Sequence, residues 1–68
     1  MLKVKQIDSS STIFNISVSK AKREYEKFID ENKNISILFI NTNSVKENGM
    51  FYYSILITYK DIKNDNKY

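Results

Sequence analysis

The sequence lacks cysteine, histidine, tryptophan and proline, and it contains a single glycine. Without cysteine the chain forms no disulfide and offers no thiolate as a nucleophile or metal ligand. Without histidine it has no ordinary general base near neutral pH and no imidazole ligand. One glycine cannot build a glycine-rich phosphate-binding loop. These absences predict a protein that is not an enzyme, with no catalytic residue, no metal site and no cofactor.

The length and apolar content predict one small folded domain. The chain has 68 residues, and its hydrophobic fraction of 41% is too high for an intrinsically disordered protein. No apolar run is long enough to span a bilayer, and residues 1–5 lack the apolar core of a secretion signal. We therefore expect a cytoplasmic protein that does not enter a membrane.

The N-terminal third predicts a strand followed by an ambiguous segment. Leu2 to Ile7 alternates with a period of two, and Leu2 and Val4 are expected to face the core. Residues 8–11 are polar and turn-forming. Residues 12–18 alternate as a strand does but also place Phe14 and Val18 at helical spacing. Their β-branched content favours an extended segment, which would pair with the first strand.

An amphipathic helix is predicted from Ser19 to about Asn32, with Ser17 or Ser19 as its N-cap. Its apolar positions recur at intervals of three and four residues and form one stripe, as in a helix packed on a core. The stripe consists of Ala21, Tyr25, Phe28 and Ile29.

Residues 35–45 and 50–59 predict a β-hairpin. They are joined through Asn48-Gly49, the dipeptide that most favours a two-residue hairpin turn. With this turn, Glu47 faces Met50 and Ile40 faces Ile57 across the hairpin.

Together these elements predict an α+β domain over residues 1–59, with a polar C-terminal tail at residues 60–68. The expected fold is a three- or four-stranded antiparallel sheet with one amphipathic helix on one face. The predicted core consists of Leu2, Val4, Ala21, Tyr25, Phe28, Ile29, Leu38, Ile40, Ile55 and Ile57.

The second face of the hairpin also carries large apolar side chains. One short helix covers only one face of a sheet, and contiguous exposed apolar patches usually mark interaction sites. Either a second copy covers this face, or residues 8–18 or the tail fold over it. Self-association is the favoured prediction, because a domain this small has a thin stability margin. The predicted interface consists of Ile37, Phe39, Val45, Tyr52 and Leu56.

The function predicted from these features is that of a non-enzymatic interaction module. It would form a homo-oligomer and bind a partner protein or sequester a small ligand. The alternative is a weak, sequence-independent nucleic-acid-binding protein that uses the net charge of +3 and the exposed tyrosines. Against it, the helix places Lys20 and Lys27 four residues before Glu24 and Glu31, so its positive charge is locally balanced.

Three segments carry a resemblance to a known family: the first strand Leu2-Lys3-Val4-Lys5, the helix motif Glu26-Lys27-Phe28-Ile29 and the closing strand at residues 51–59. They resemble very short strand–helix–strand–strand proteins of Gram-positive bacteria and their phages, some described as sporulation proteins. The resemblance covers residues 2–59 and implies no established activity. In a phage, the partner would be a host protein. The element order alone is also similar to dodecin, a flavin-storing assembly, but the tryptophan that stacks on flavin there has no counterpart.

Overall fold

The computed structural model describes residues 1–62 and has the α+β architecture predicted from the sequence. One helix lies on one face of a three-stranded antiparallel sheet with strand order β1-β3-β2. The elements in chain order are β1 (Leu2–Ser11), α1 (Phe14–Glu31), β2 (Ile35–Glu47) and β3 (Met50–Asp61).

The last strand, β3, is the central one. It pairs with β1 on one side, where Ile7 lies opposite Ile55, and with β2 on the other. The predicted hairpin register is confirmed, because Glu47 faces Met50. Asn48 and Gly49 have φ angles of 53° and 79°, as expected for the turn that matches the twist of the flanking strands.

A β-bulge at Leu38 changes the register at the start of β2. Phe39 lies opposite Thr58, whereas Ile37 lies opposite Tyr59, so Leu38 is an extra residue in the ladder. The prediction that Ile37 lies on the second face is therefore wrong, since Ile37 packs against the core on the helix side. The placement of Leu38 in the core is also wrong, because its side chain is 41% exposed.

The helix begins at Phe14, five residues before the predicted start at Ser19, so the extended prediction for residues 12–18 is wrong. The ring of Phe14 packs edge-on against Phe51 and Tyr53, with centroid distances of 5.6 and 6.3 Å. These contacts favour the helical conformation of residues 14–18 over the extended one. The N-cap is Ile13, without a side-chain cap. Ser17 is buried inside the helix, where its Oγ donates a hydrogen bond to the carbonyl of Phe14.

The buried core is small and lies between α1, β1 and β3. Its buried apolar residues include Ala21, Ile55 and Ile57, as predicted, and also Ile7. Tyr25 and Phe28 pack against this cluster from the helix.

Leu2 and Val4 are not in the core, because they are 61% and 62% exposed. Their alternation with Lys3 and Lys5 was predicted, but the face was assigned wrongly. Ile7 lies in phase with the lysines, and its burial under the helix directs Leu2 and Val4 to the opposite side of the sheet.

The C-terminal end of β3 continues two residues past the predicted domain boundary at residue 59. Lys60 pairs with Leu2 and Ser36 across the sheet, and the backbone N–H of Ile62 donates to the carbonyl of Asn34 at 2.8 Å. The rest of the predicted tail, residues 63–68, lies outside the described residues.

Candidate interaction surfaces

The helix covers β1 and β3 and leaves β2 bare. Phe28 packs edge-on against Tyr59 at the C-terminal end of the helix, and Ala21 is fully buried near its middle. Within residues 1–62, α1 packs against β1 and β3, whereas β2 packs against β3 alone. Ile40, a predicted core residue on β2, is therefore 46% exposed.

The face of the sheet opposite the helix is uncovered in the described part of the chain. We call it the open face. Phe39 is its most exposed aromatic residue, at 66%, and Val45 and Tyr52 are each close to half exposed. Register and alternation assign to it the apolar residues Leu2, Val4, Phe39, Val45, Tyr52 and Leu56.

The structure thus places four of the five predicted interface residues together and adds two that were not predicted. Phe39 and Val45 lie on β2, and Tyr52 and Leu56 lie on β3, all on the open face. Ile37 is on the helix side because of the bulge. Val4 lies in the same cross-strand row as Phe39, with Thr58 between them. Ile7 alternates in phase with Lys3 and Lys5 and is buried. It was the signal that could have placed Leu2 and Val4 on the open face.

Charged side chains are sparse on the open face. Glu47 lies at its turn end, Lys60 lies at the other end and Asp8 lies on β1, all exposed. The side-chain amide of Gln6 donates to Asp8 at 3.0 Å. Two carboxylates against one ammonium do not provide the clustered positive charge that nucleic-acid binding requires.

The two edges of the sheet differ in how they are protected. Lys3, Lys5 and Asp8 place charges along β1, and the Nζ of Lys20 on the helix donates to the carbonyl of Ser10 at 3.2 Å. Natural sheets use such charges to prevent edge-to-edge pairing. By contrast, β2 carries no charge from Ile35 to Val45. Among residues 1–62, nothing pairs with its outer edge.

An apolar groove runs between the helix and β2 on the helix side. Its volume is about 380 Å³. Tyr53 and Ile55 lie at its base on β3, and Ile40 and Thr42 extend it onto β2. Its helix wall consists of Val18, Lys22 and Tyr25.

A polar cleft lies on the other side of the helix, above β1. It is lined by Asp8, Ser9, Ser10, Lys20, Arg23 and Glu24. Both signs of charge are present, so the cleft has no preference for an anion or a cation. Within residues 1–62 no group of three or more acidic side chains is placed to hold a metal ion.

Few ion pairs form on the surface of the described residues. The described residues form two, Lys3–Asp61 at 2.6 Å and Lys33–Asp30 at 3.2 Å. The hydrogen bond and the negative charge of Asp61 raise the pKa of Lys3 above its ordinary value. The i,i+4 pairs Lys20–Glu24 and Lys27–Glu31 do not form, as is common for exposed helix charges.

Comparison of the chain with protein-family models, with curated proteins and with solved structures finds no match. No helix among the described residues has both the length and the apolar character needed to cross a membrane.

Proposed function

We propose that this protein is a small, non-enzymatic interaction module that self-associates through its open face. The observation that supports this most is the apolar content of that face, where Phe39, Val45 and Tyr52 are 66%, 48% and 45% exposed. Exposed apolar patches of several hundred Å² are uncommon on monomers and usually mark binding sites. The buried core is also small, so burial of a second face would add to a thin stability margin.

The charges on the open face favour a second copy of the chain as its occupant. Glu47 and Lys60 lie at opposite ends of this face. When two such faces stack with their strands antiparallel, Glu47 of one copy approaches Lys60 of the other at both ends. Leu56 and Tyr52 then lie near the centre, where water is excluded and apolar contact contributes most.

A self-associating module of this kind would act by binding a partner protein or by holding a small ligand between its copies. A cytoplasmic location and a host protein as the partner in a phage setting belong to the same proposal. A native mass spectrum of the untagged protein, purified gently, tests this part. Extra mass retained on an oligomer identifies the class of ligand or partner, and an oligomer without it shows that self-association needs no ligand.

Substitution of Tyr52→Asp and Leu56→Asp tests the open-face contact. Each places a carboxylate in the proposed dry centre, and we expect the mass measured by analytical ultracentrifugation to fall by half. The control is Ile13→Asp with Ile16→Asp, which puts the same charges on exposed apolar residues away from the open face. We expect this control to keep the wild-type mass.

An unchanged mass in the Tyr52→Asp, Leu56→Asp variant shows that the open face is not the interface. Leu56 is partly buried within one copy, so circular dichroism must confirm that the variant is folded. If it is not, Tyr52→Asp alone decides the question, since Tyr52 is exposed and its replacement removes little packing within one copy.

A further inference from the structure

We infer that the outer edge of β2 is a second, separate interface, at which β2 pairs antiparallel with β2 of another copy about a twofold axis at Thr42. The two sheets would then form one continuous six-stranded sheet with both helices on the same side. This contact uses the edge of the sheet and the groove beside it. It goes beyond the open face and does not depend on it.

The two edges of the sheet differ in how well they are protected against pairing with another strand. An unprotected edge strand offers a row of free N–H and C=O groups to any matching strand. The β1 edge is guarded by Lys3, Lys5 and the hydrogen bond from Lys20 to the carbonyl of Ser10. The β2 edge has neither proline nor charge over Ile35–Val45. A strand so long and so poorly protected is expected to be paired.

The charges on β2 are placed so that this strand can pair with a copy of itself. A strand that pairs antiparallel with its own copy must avoid placing like charges opposite each other. The only charges on β2 are Lys46 and Glu47, and both lie at its C-terminal end. Antiparallel pairing about the middle of the strand sets each of them against the uncharged N-terminal part of the partner strand. Two β2 edges can therefore pair without placing like charges opposite each other.

The faces occupied by the side chains of β2 fix the register of this pairing. Facing residues in an antiparallel pair point to the same side, so the twofold axis must pass through a residue and not between two. With the axis at Thr42, Phe39 faces Val45 of the other copy on the open face, and Thr42 faces Thr42 on the helix side. Aromatic–β-branched and Thr–Thr pairs are among those that stabilise sheets. An axis at Asn41 or Asn43 instead sets Phe39 against Asn43 or Glu47.

The bulge and the turn limit the paired segment. The regular ladder of β2 runs from Phe39 to Glu47, because Leu38 interrupts it on one side and Asn48-Gly49 ends it on the other. Pairing about Thr42 uses most of this length. It also brings a neighbouring strand beside Ile40 and Thr42, where the helix leaves the groove open.

Single-cysteine cross-linking tests the inference, because the natural chain has no cysteine to interfere. Thr42→Cys brings two thiols together at the axis, within the Cα separation that a disulfide spans. Asn41→Cys and Asn43→Cys are matched controls on neighbouring exposed positions, whose equivalent residues lie two places apart along the strands. After mild oxidation we expect a covalent dimer of Thr42→Cys on a non-reducing gel, at least tenfold more than of either control.

Each other result overturns a defined part of the inference. Asn41 and Asn43 lie on the open face, so their cross-linking is measured in the presence of Tyr52→Asp and Leu56→Asp. Cross-linking through Asn41→Cys or Asn43→Cys alone in that background shows that the register about Thr42 is wrong. Equal cross-linking of all three, or of none, shows that the β2 edges do not pair.

The same variants separate this interface from the open face. Thr42→Cys is combined with Tyr52→Asp and Leu56→Asp, and we expect its cross-linking to persist although the open-face contact is lost. Conversely, Thr42→Lys should halve the mass of the assembly while Thr12→Lys, which adds the same charge in the exposed turn before α1, leaves it unchanged. If Thr42→Lys keeps the wild-type mass, the edge interface is wrong, whatever the outcome at the open face.

Discussion

Ile57 lies at the centre of the core, on the middle strand and beneath the helix, and its side chain is fully buried. Among residues 1–62, the buried apolar side chains are those of one alanine and three isoleucines. Few other contacts can compensate for the loss of one of them. Truncation of a large buried side chain costs the transfer free energy of the lost atoms and leaves a cavity.

Replacing Ile57 with alanine should therefore unfold much of the protein. Such truncations cost about 2–5 kcal/mol, which is comparable to the about 3–5 kcal/mol that a single core of this size supplies. Urea denaturation followed by circular dichroism measures the change. The control is Ile16→Ala on the helix, where the isoleucine is 43% exposed and the expected change is within about 0.5 kcal/mol. Equal losses in both variants would show that the core is not where the structure places it.

Individual residues also show why the sequence predicts the side of the sheet for some side chains and not for others. Alternation in β1 separates Leu2 and Val4 from Lys3 and Lys5, but alternation alone does not say which set meets the helix. The face is decided by Ile7, which packs in the core with Ala21 of α1, and by Ser9, whose Oγ donates a hydrogen bond to the carbonyl of Ser17. The alternation within β1 does not reveal these tertiary contacts. The hydrophobicity of Leu2 and Val4 favours their burial in the core. The packing of Ile7 beneath the helix instead places them on the open face.

At the scale of elements, the bulge in β2 is the feature that local pattern did not reveal. Counting from the turn gives the correct partner for every residue from Phe39 to Glu47, because Asn48-Gly49 fixes the register there. Beyond Leu38 the same counting fails by one residue and reverses the faces. The hairpin was thus predictable where the turn controls it and unpredictable past the extra residue.

Deleting Leu38 should leave β2 folded as a regular strand. Ile37 and Phe39 then become neighbours opposite Tyr59 and Thr58, which they already face, so no side chain changes sides. We expect a melting temperature near that of the natural chain and an unchanged cross-strand contact between Ile37 and Tyr59 in NMR spectra.

Deleting Asn43 is the matched control, because it also shortens β2 by one residue. It moves the side chain of each of residues 39–42 to the other face of the sheet, so that Asn41 lies on the helix side. We expect a clearly lower melting temperature for this variant. If the two deletions lower it equally, the bulge is not located at Leu38.

The whole molecule is a half-covered sheet: its helix shields two of three strands on one side, and its other side is bare. Sequence patterning predicted the bare side because the hairpin is apolar on both faces. It did not predict the bare edge, since strand order depends on the pairing of β1 with β3 across the length of the chain. The proposed contacts through the open face and through the β2 edge would have different twofold axes, and they would close an assembly of four copies when these axes intersect at right angles.

Such an assembly couples folding to association, so thermal stability should depend on protein concentration. We expect the melting temperature to rise over a hundredfold increase in concentration, because binding between folded copies stabilises them by mass action. A gain of 1 kcal/mol corresponds to about 4–8 °C for a domain of this size. Scanning calorimetry at several concentrations measures the shift, and the Tyr52→Asp, Thr42→Lys variant provides the unassociated reference. A melting temperature independent of concentration in the natural chain would contradict both interfaces.

The central position of β3 also determines when this protein can fold during its synthesis. The ribosome completes β1, α1 and β2 first, yet β1 and β2 have no contact with each other and each pairs only with β3. Until residues 50–61 leave the exit tunnel, the nascent chain holds two unpaired strands, and the helix has only β1 to pack against. Pairing of Leu2 with Lys60 then brings together two residues from opposite ends of the described chain. Formation of the sheet therefore waits for β3, and both edges of β2 stay free until β3 pairs with it.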